Sequence, residues 1–429
     1  MLYAVLGISL VVLLLGGLPA AFALGFSSEI YLAMQRGVHA IPWAILAQRT
    51  VYGLNNFSLL AIPLFLLVGH IMNESGMTNR LFGFARALVG PMRGGLGQVT
   101  VVSGIIMAGM SGSAVADAAG LGSVAIDAMA EQGYDKDFAT GLVAGVSLMG
   151  PIIPPSVPAV LYAILAGVSV NGLLIAGIIP GLLMGLAFMV YVAVVAHRRN
   201  FPIGAHLTWQ TVWQGLRQGF LPLMTPVLLI GGMLKGIFTA TEAAAVAALW
   251  AVLVATLVYR SLSLAKLWAI FKKTAIDSAV VMFILGVSNI YTWLLTSARI
   301  PQLLSTQIFA WTHNYALVLL LITLLLLLLG CFVSSTVSIN LLTPIVVPLI
   351  VAVGGDPLFF GVFMILVLMI GELTPPFGMV LFALMRVTGF SLNRVVKASL
   401  PFYIPVIVVI VLCAIFPAIV TWLPHLLVN

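Results

Sequence analysis

The sequence predicts an all-α polytopic membrane protein, organised as an inverted repeat with two re-entrant helical hairpins and two broken transmembrane helices. Three observations carry this expectation. The 429 residues are 62% hydrophobic and 7% charged with a mean hydropathy of +1.22, more apolar than the interior of a water-soluble protein of this length can hide. Runs such as 221–234 and 316–329 carry no charge. Lipid offers backbone groups no partner, so helices are the economical spanning element, and the lack of alternating apolar and polar segments excludes a barrel. Lastly, a pattern of helix-breaking residues near position 110 recurs near position 333.

In order along the chain, spans are expected at 4–26, 57–73, 139–166, 172–196, 221–234, 239–258, 278–295, 357–384 and 398–423, with interrupted apolar segments at 96–129 and 316–353. The run 2–24 has the look of a signal peptide, and Ala21-Phe22-Ala23 resembles a cleavage site, but no Lys or Arg precedes it. A retained first span is therefore favoured. Val99 to Met110 is twelve residues, about 18 Å of helix against a hydrocarbon core of about 30 Å. It cannot cross alone, and a hairpin turning at Met110-Ser111-Gly112-Ser113 fits better, because Gly and Ser permit a tight reversal. Ala316 to Phe332 is long enough nearly to span, so length defines the second hairpin less sharply.

If both interrupted segments enter and leave by one side, 14 of the 18 Lys and Arg fall on a single face, among them Arg80, Arg217, Lys273 and Arg386. Basic loops stay inside, which makes that face cytoplasmic. The net charge of +7 is then topology and contact with membrane lipid, and no basic-aromatic cluster points to nucleic acid. Cys331 and Cys413 lie in separate apolar segments and suggest no disulfide framework.

The recurring pattern is specific. Met110-Ser111-Gly112-Ser113 is followed by Gly150-Pro151-Ile152-Ile153-Pro154-Pro155-Ser156, and Val333-Ser334-Ser335-Thr336 by Gly371-Glu372-Leu373-Thr374-Pro375-Pro376-Phe377. A shift of 221 residues superposes Ser113 on Ser334, Gly150 on Gly371 and both prolines of each pair. Five crossings separate the span at 57 from its counterpart at 278, so the second unit enters upside down. The units run approximately 54–200 and 275–423 within a single membrane domain, 1–429. Paired breaks at matching places in inverted halves point to a midplane binding site.

Pro-Pro in an apolar run removes backbone donors and forces the preceding residue out of helical geometry, freeing carbonyls upstream. Those carbonyls and nearby hydroxyls are hard ligands for a small cation, whereas the helix N-termini beyond the breaks suit a carboxylate. Pro155, Ser156, Thr336, Asn340 and Pro376 are accordingly candidate contacts for an anionic solute, together with Asp117. Simple kinking of a span by Pro-Pro is the alternative, and duplication with flanking Gly weakens it. Asp117, one turn beyond Ser113, costs about 2.5–3.5 kcal/mol at membrane depth, so it lines a cavity or holds the hairpin tip through backbone hydrogen bonds. Thr239-Ala240-Thr241-Glu242 has capping-box spacing, which gives Glu242 a structural role. Glu372 has no acidic equivalent at Pro151, and cation binding, proton binding and pairing with a base all stay open for it.

An enzyme is not expected. Gly109-Met110-Ser111-Gly112 matches the short motif of intramembrane serine proteases, with His70 and His313 as the available bases, but neither sits convincingly mid-span. No His-Glu-x-x-His, Walker A or clustered Cys/His signature supports metalloprotease or ATP-driven chemistry, and catalytic residues and an organic cofactor are expected to be absent.

Ser111-Gly112-Ser113-Ala114-Val115-Ala116-Asp117, the 150–156 break, 236–243 and Thr374-Pro375-Pro376-Phe377-Gly378 closely resemble the large membrane (M) subunit of tripartite ATP-independent periplasmic (TRAP) transporters, the DctM-like family. Residues 61–65 and 343–348 also resemble it, so the likeness covers essentially the whole chain in order. It implies a Na⁺-coupled importer of the ion-transporter superfamily in the bacterial cytoplasmic membrane, working by an elevator-type mechanism. It further implies two partners, a small four-helix membrane subunit (Q) and a periplasmic solute-binding protein (P) delivering a small carboxylate such as a dicarboxylate or sialic acid. On matching positions it implies one Na⁺ site at Ser111, Gly112, Ser113, Gly150 and Pro154, and its mate at Ser334, Ser335, Gly371, Thr374 and Pro375. A stand-alone organic-anion carrier of the same superfamily and, more distantly, an intramembrane protease are the alternatives. Two departures stand out, because many relatives have Asp at the position of Ser334 and an aliphatic residue at that of Glu372. An acidic group shifted to the neighbouring element would preserve local charge and make Glu372 an ion-coupling candidate.

Overall fold

A computed structural model describes residues 2–199, 201 and 208–427. The chain opens with α1 (Leu2–Leu15), α2 (Ala20–Arg36), α3 (Trp43–Tyr52), α4 (Ala61–Glu74) and α5 (Met77–Val89). The first hairpin is α6 (Gly95–Ser111) and α7 (Ala114–Glu131), and the first broken span is α8 (Lys136–Ser147) and α9 (Val157–Ala166). Next come α10 (Val170–Ala176), α11 (Ile178–Arg198), α12 (Trp209–Leu234) and α13 (Ala240–Leu253), the last prolonged by a π-helical turn at Val254–Val258. The second half holds α14 (Leu264–Ser297), α15 (Ile300–Trp311), the hairpin α16 (Tyr315–Gly330) and α17 (Ser335–Ala352), and the broken span α18 (Pro357–Glu372) and α19 (Met379–Thr388). It closes with α20 (Leu392–Ser399), α21 (Tyr403–Ile415) and α22 (Ala418–Leu427).

Side-chain oxygens set many of the starts by accepting a free first-turn N–H: Ser113 for α7, Asp135 for α8, Ser156 for α9, Thr208 for α12, Ser263 for α14 and Asp356 for α18. Thr239 and Glu242 form the expected capping box at α13, with Glu242 Oε2 accepting from the Thr239 amide at 2.8 Å. Six helical runs are long and apolar enough to cross a membrane among the described residues.

Several expected boundaries change. The span 4–26 is a hairpin of α1 and α2, packed against each other, because Gly17 takes a positive φ of 84° and Pro19 starts a new helix. The spans at 221–234 and 278–295 extend into helices of 26 and 34 residues, since the Thr208 and Ser263 caps begin them well before their apolar stretches. The span 398–423 divides into α20, α21 and α22, stopping before Pro417. α6 starts at Gly95, four residues before the expected apolar run, and its 17 residues make about 25 Å, still short of a crossing of about 30 Å. The short helices α3, α5 and α15 were not expected. α5 buries Met77, Leu81, Phe82, Ala85 and Val89 on one face, against α12 among its neighbours, a stripe too brief for a hydropathy window to register.

The duplication is visible in both helices and packing. A shift of 221 residues carries α7 onto 335–352, the range of α17, and α9 to within one residue of α19. α7 packs on α19 while α17 packs on α9, and α8 packs on α20 while α18 packs on α10. Each contact maps onto its partner under the shift, the reciprocity that a two-fold relation produces. The start of α8 also meets α20 through Arg394 Nε and Asp137 Oδ1 at 2.7 Å, joining two loops assigned to the same membrane face.

Candidate functional site

The first hairpin turns where the sequence places it. α6 ends at Ser111, and Gly112 adopts φ 63°, ψ 14°, a left-handed conformation that glycine takes without cost. A Cβ on Gly112 would lie 2.6 Å from the Pro155 carbonyl oxygen, so the tip rests directly on the first break. Ser113 is extended and accepts from the Ala116 amide at 3.4 Å, while its own amide donates to Ser111 Oγ at 3.3 Å. In the break, Ser156 accepts from the Ala159 amide at 3.1 Å to restart the helix, and its hydroxyl donates to the Pro151 carbonyl. The carbonyls of Gly112, Gly150, Ile153 and Pro155 accept no hydrogen bond among the described residues. Both duplicated Pro-Pro bonds, Pro154-Pro155 and Pro375-Pro376, are cis.

Asp117 lies against this break. A Cβ on Gly150 would come within 2.4 Å of Asp117 Oδ2 and 3.2 Å of the Ser113 carbonyl oxygen. The carboxylate is 1% exposed, and neither oxygen makes a hydrogen bond of good geometry, although the Ser111 side chain lies beside it. It therefore does not hold the tip through backbone hydrogen bonds, the alternative raised by the sequence. Buried carboxylates are ordinarily paired or bound to metal, and this one lies against Gly150, whose carbonyl accepts no hydrogen bond among the described residues.

The second tip is built differently. Ser334 starts α17 without a side-chain cap. Glu372, at the end of α18, takes that place: the Ser335 amide donates to its Oε1 at 3.1 Å, and the Ser335 hydroxyl donates to the same oxygen. A Cβ on Gly371 would lie 2.4 Å from the backbone carbon of Gly330, so hairpin and broken helix touch backbone to backbone. The Phe377 amide donates to the Cys331 carbonyl at 3.1 Å. Tyr403 steadies the break by donating to the Leu373 carbonyl, and Thr374 Oγ1 donates to the Ile370 carbonyl at 2.7 Å.

Both tips face one cavity of about 150 Å³, lined by Gly112, Ser113, Ser334, Ser335, Thr336 and Glu372 and flanked by Leu66 and Val281. It shares Leu66, Ser113, Val115 and Val281 with a cleft of about 900 Å³ that carries Ser111, Asn73, His70, Lys273, Asp277 and Arg386. Lys273 and Arg386 belong to the basic residues that the sequence assigns to the cytoplasmic face, and the cleft runs from the tips to these two.

The candidate residues thus divide. Ser111, Ser113, Ser334, Ser335, Thr336 and Glu372 line one cavity or the other, with Gly150, Pro154 and Gly371 buried behind them. Ser156 and Asn340 do not reach either cavity as solute contacts. Ser156 is fully buried with its hydroxyl on Pro151, and Asn340 is 1% exposed with its amide on the Thr336 carbonyl at 3.3 Å. Pro155 is buried under Gly112, and Pro375 and Pro376 are exposed and line neither cavity.

Sequence reasoning missed the cleft wall. His70 was weighed only as a protease base, yet its Nε2 lies 3.1 Å from Asp277 Oδ2 and its Nδ1 2.9 Å from Thr274 Oγ1. Both ring nitrogens are engaged on α14, and neither meets Ser111 or Ser113. The spacing of Thr274 and Asp277 on one helix face was readable, but not its pairing with a helix some 200 residues away.

Comparison with known proteins places the chain in a family and a fold. Residues 7–419 match the family described as "Tripartite ATP-independent periplasmic transporter, DctM component". The chain is 41% identical over 418 residues to the sialic acid TRAP transporter large permease protein SiaM of Vibrio cholerae, covering 97% of each chain. It is 36% identical to the 2,3-diketo-L-gulonate TRAP transporter large permease protein YiaN of Escherichia coli, covering 90% of each. Among solved structures, the YdaH transporter of Alcanivorax borkumensis has a similar fold, with a TM-score of 0.66 at 14% identity over 89% of each chain.

Proposed function

Because this chain belongs to the DctM-component family of tripartite ATP-independent periplasmic transporters, as a multi-pass protein of the inner membrane, we propose that it imports a small carboxylate-bearing solute coupled to Na⁺. The observation that carries this reading is the convergence of two duplicated hairpin tips on one cavity. At the first, a buried carboxylate lies against Gly150 of the break, in which the Gly150, Ile153 and Pro155 carbonyls accept no hydrogen bond among the described residues. Oxygen ligands without donors suit a hard cation such as Na⁺.

In the proposed cycle, Na⁺ binds at Ser111, Gly112, Ser113 and the 150–155 break, with Asp117 supplying charge. A second ion binds at Ser334, Ser335 and the 371–375 break, with Glu372 supplying charge. A solute carboxylate lies between the tips against Ser113 and Thr336. The cleft leading past Lys273 and Arg386 corresponds to a cytoplasm-facing state, in which these two cations draw the anion out. Elevator-type movement of the two hairpins and broken spans, as one body, would carry the site across. A small membrane subunit and a periplasmic binding protein are the partners that the tripartite family implies. The relatives named for sialic acid and 2,3-diketo-L-gulonate, both carboxylates, support an organic acid as the solute.

The test is uptake into proteoliposomes holding all three components, screening labelled organic acids with an inward Na⁺ gradient and with K⁺ in its place. Accumulation of at least one acid only with Na⁺ supports the proposal. Equal uptake in both salts contradicts it.

A further inference from the structure

Away from the transport site, α5, α12 and the end of the π-helical turn enclose a cleft of about 590 Å³. Its wall carries Arg80, Gln214, Arg217, Gln218 and Tyr259, with Leu221 and Val258 at the apolar end, and no acidic residue. Neither arginine has a carboxylate within ion-pair distance among the described residues. Gln214, Arg217, Gln218 and Leu221 recur at helical spacing and so project from one face of α12. The Arg80 guanidinium stacks 3.9 Å from the centre of the Tyr259 ring, and the Tyr259 hydroxyl donates to the Gln218 carbonyl at 3.4 Å. Arg80 is thereby held in place with its donors free of any protein anion.

The surroundings are layered as a lipid would require. On α12, Trp209 and Trp213 are exposed on one side of the cleft, as aromatic residues are at the level of the headgroups. On the other side, Phe220 and Val227 of α12, Leu253 of α13 and Leu257 of the π turn are exposed and apolar. From Arg217 to Val227 the helix rises about 15 Å, half the hydrocarbon core. The rule that places basic residues inside explains why Arg80 and Arg217 share a membrane face. It does not explain their convergence, with two amides, in a cleft that continues into an apolar wall.

We propose that this cleft binds the phosphodiester headgroup of an anionic phospholipid of the cytoplasmic leaflet, with the acyl chains lying along Phe220, Val227 and Leu257. Planar guanidinium forks match phosphate oxygens, and basic pockets between helices on the cytoplasmic side are suited to such headgroups.

The test measures thermal unfolding of the full chain in neutral detergent, with any co-purifying subunit retained, titrated with phosphatidylglycerol, phosphatidylcholine or inorganic phosphate. Phosphatidylglycerol is expected to raise the melting midpoint in a saturable way, with little response to the other two. Arg80→Gln with Arg217→Gln should weaken the phosphatidylglycerol response about 30-fold in concentration, from two surface cations. Arg217→Gln alone, at an exposed position, should weaken it several-fold and serves if the double variant does not fold. Arg198→Gln with Arg199→Gln, on another cytoplasmic loop, should leave it unchanged. Equal responses to the two lipids, a full response to inorganic phosphate, or an undiminished response in both arginine variants would overturn the proposal.

Discussion

Replacing Asp117 with Asn preserves shape and removes one charge beside the first break. The carboxylate is 1% exposed, makes no hydrogen bond of good geometry, and comes within 2.4 Å of where a Gly150 side chain would begin. A cation held by the Ser113 and Gly150 region would therefore lie on the order of 5 Å from the Asp117 charge, which at an effective dielectric of about 20 gives roughly 3 kcal/mol of attraction. That is about a hundredfold in affinity. Asp117→Asn should raise the Na⁺ concentration for half-maximal uptake by roughly that factor, with expression and melting midpoint preserved or improved, because an unpaired buried charge is costly. Uptake measured against Na⁺ concentration in proteoliposomes reads the shift directly. A well-folded variant with wild-type Na⁺ dependence would refute the assignment of Asp117 to the cation.

Three further outcomes follow from the same geometry. Gly371→Ala places a methyl group 2.4 Å from the Gly330 backbone, and since backbone cannot swing aside, uptake should fall at least tenfold with a lowered melting midpoint, whereas Gly231→Ala, with open space around it, should be neutral in both assays. Glu372→Gln weakens a charged acceptor for two Ser335 donors to a neutral one, so Na⁺ affinity should drop several-fold and the pH dependence of uptake should flatten; an unchanged Na⁺ dependence and pH profile would remove Glu372 from coupling. Glu242→Ala removes the acceptor of the Thr239 amide and so opens the capping box of α13, which should appear as a slightly lower melting midpoint without any change in Na⁺ dependence.

What the sequence made legible was local. Gly112, Ser113 and the Pro-Pro pairs impose their backbone conformation on whatever surrounds them, so the tips and breaks appear where they were expected. The Thr239–Glu242 cap is equally local. The division of the first span was also written in Gly17 and Pro19, but high hydropathy on both sides masked it. Contacts between distant helices were not legible. Nothing in the spacing of Ser335 and Glu372 says that one oxygen accepts from both donors of the serine, or that His70 meets Asp277 across two helices. The same limit explains Ser156 and Asn340, polar residues beside the site whose side chains are spent on their own backbone.

In the proposed cycle the two tips bind ions whose movement drives the solute. Parallel fluxes of labelled sodium and labelled solute in the same proteoliposomes test it most directly. The two should enter together, at two or more sodium ions per solute, and Asp117→Asn and Gly371→Ala should depress both. Solute accumulation without sodium movement would contradict it.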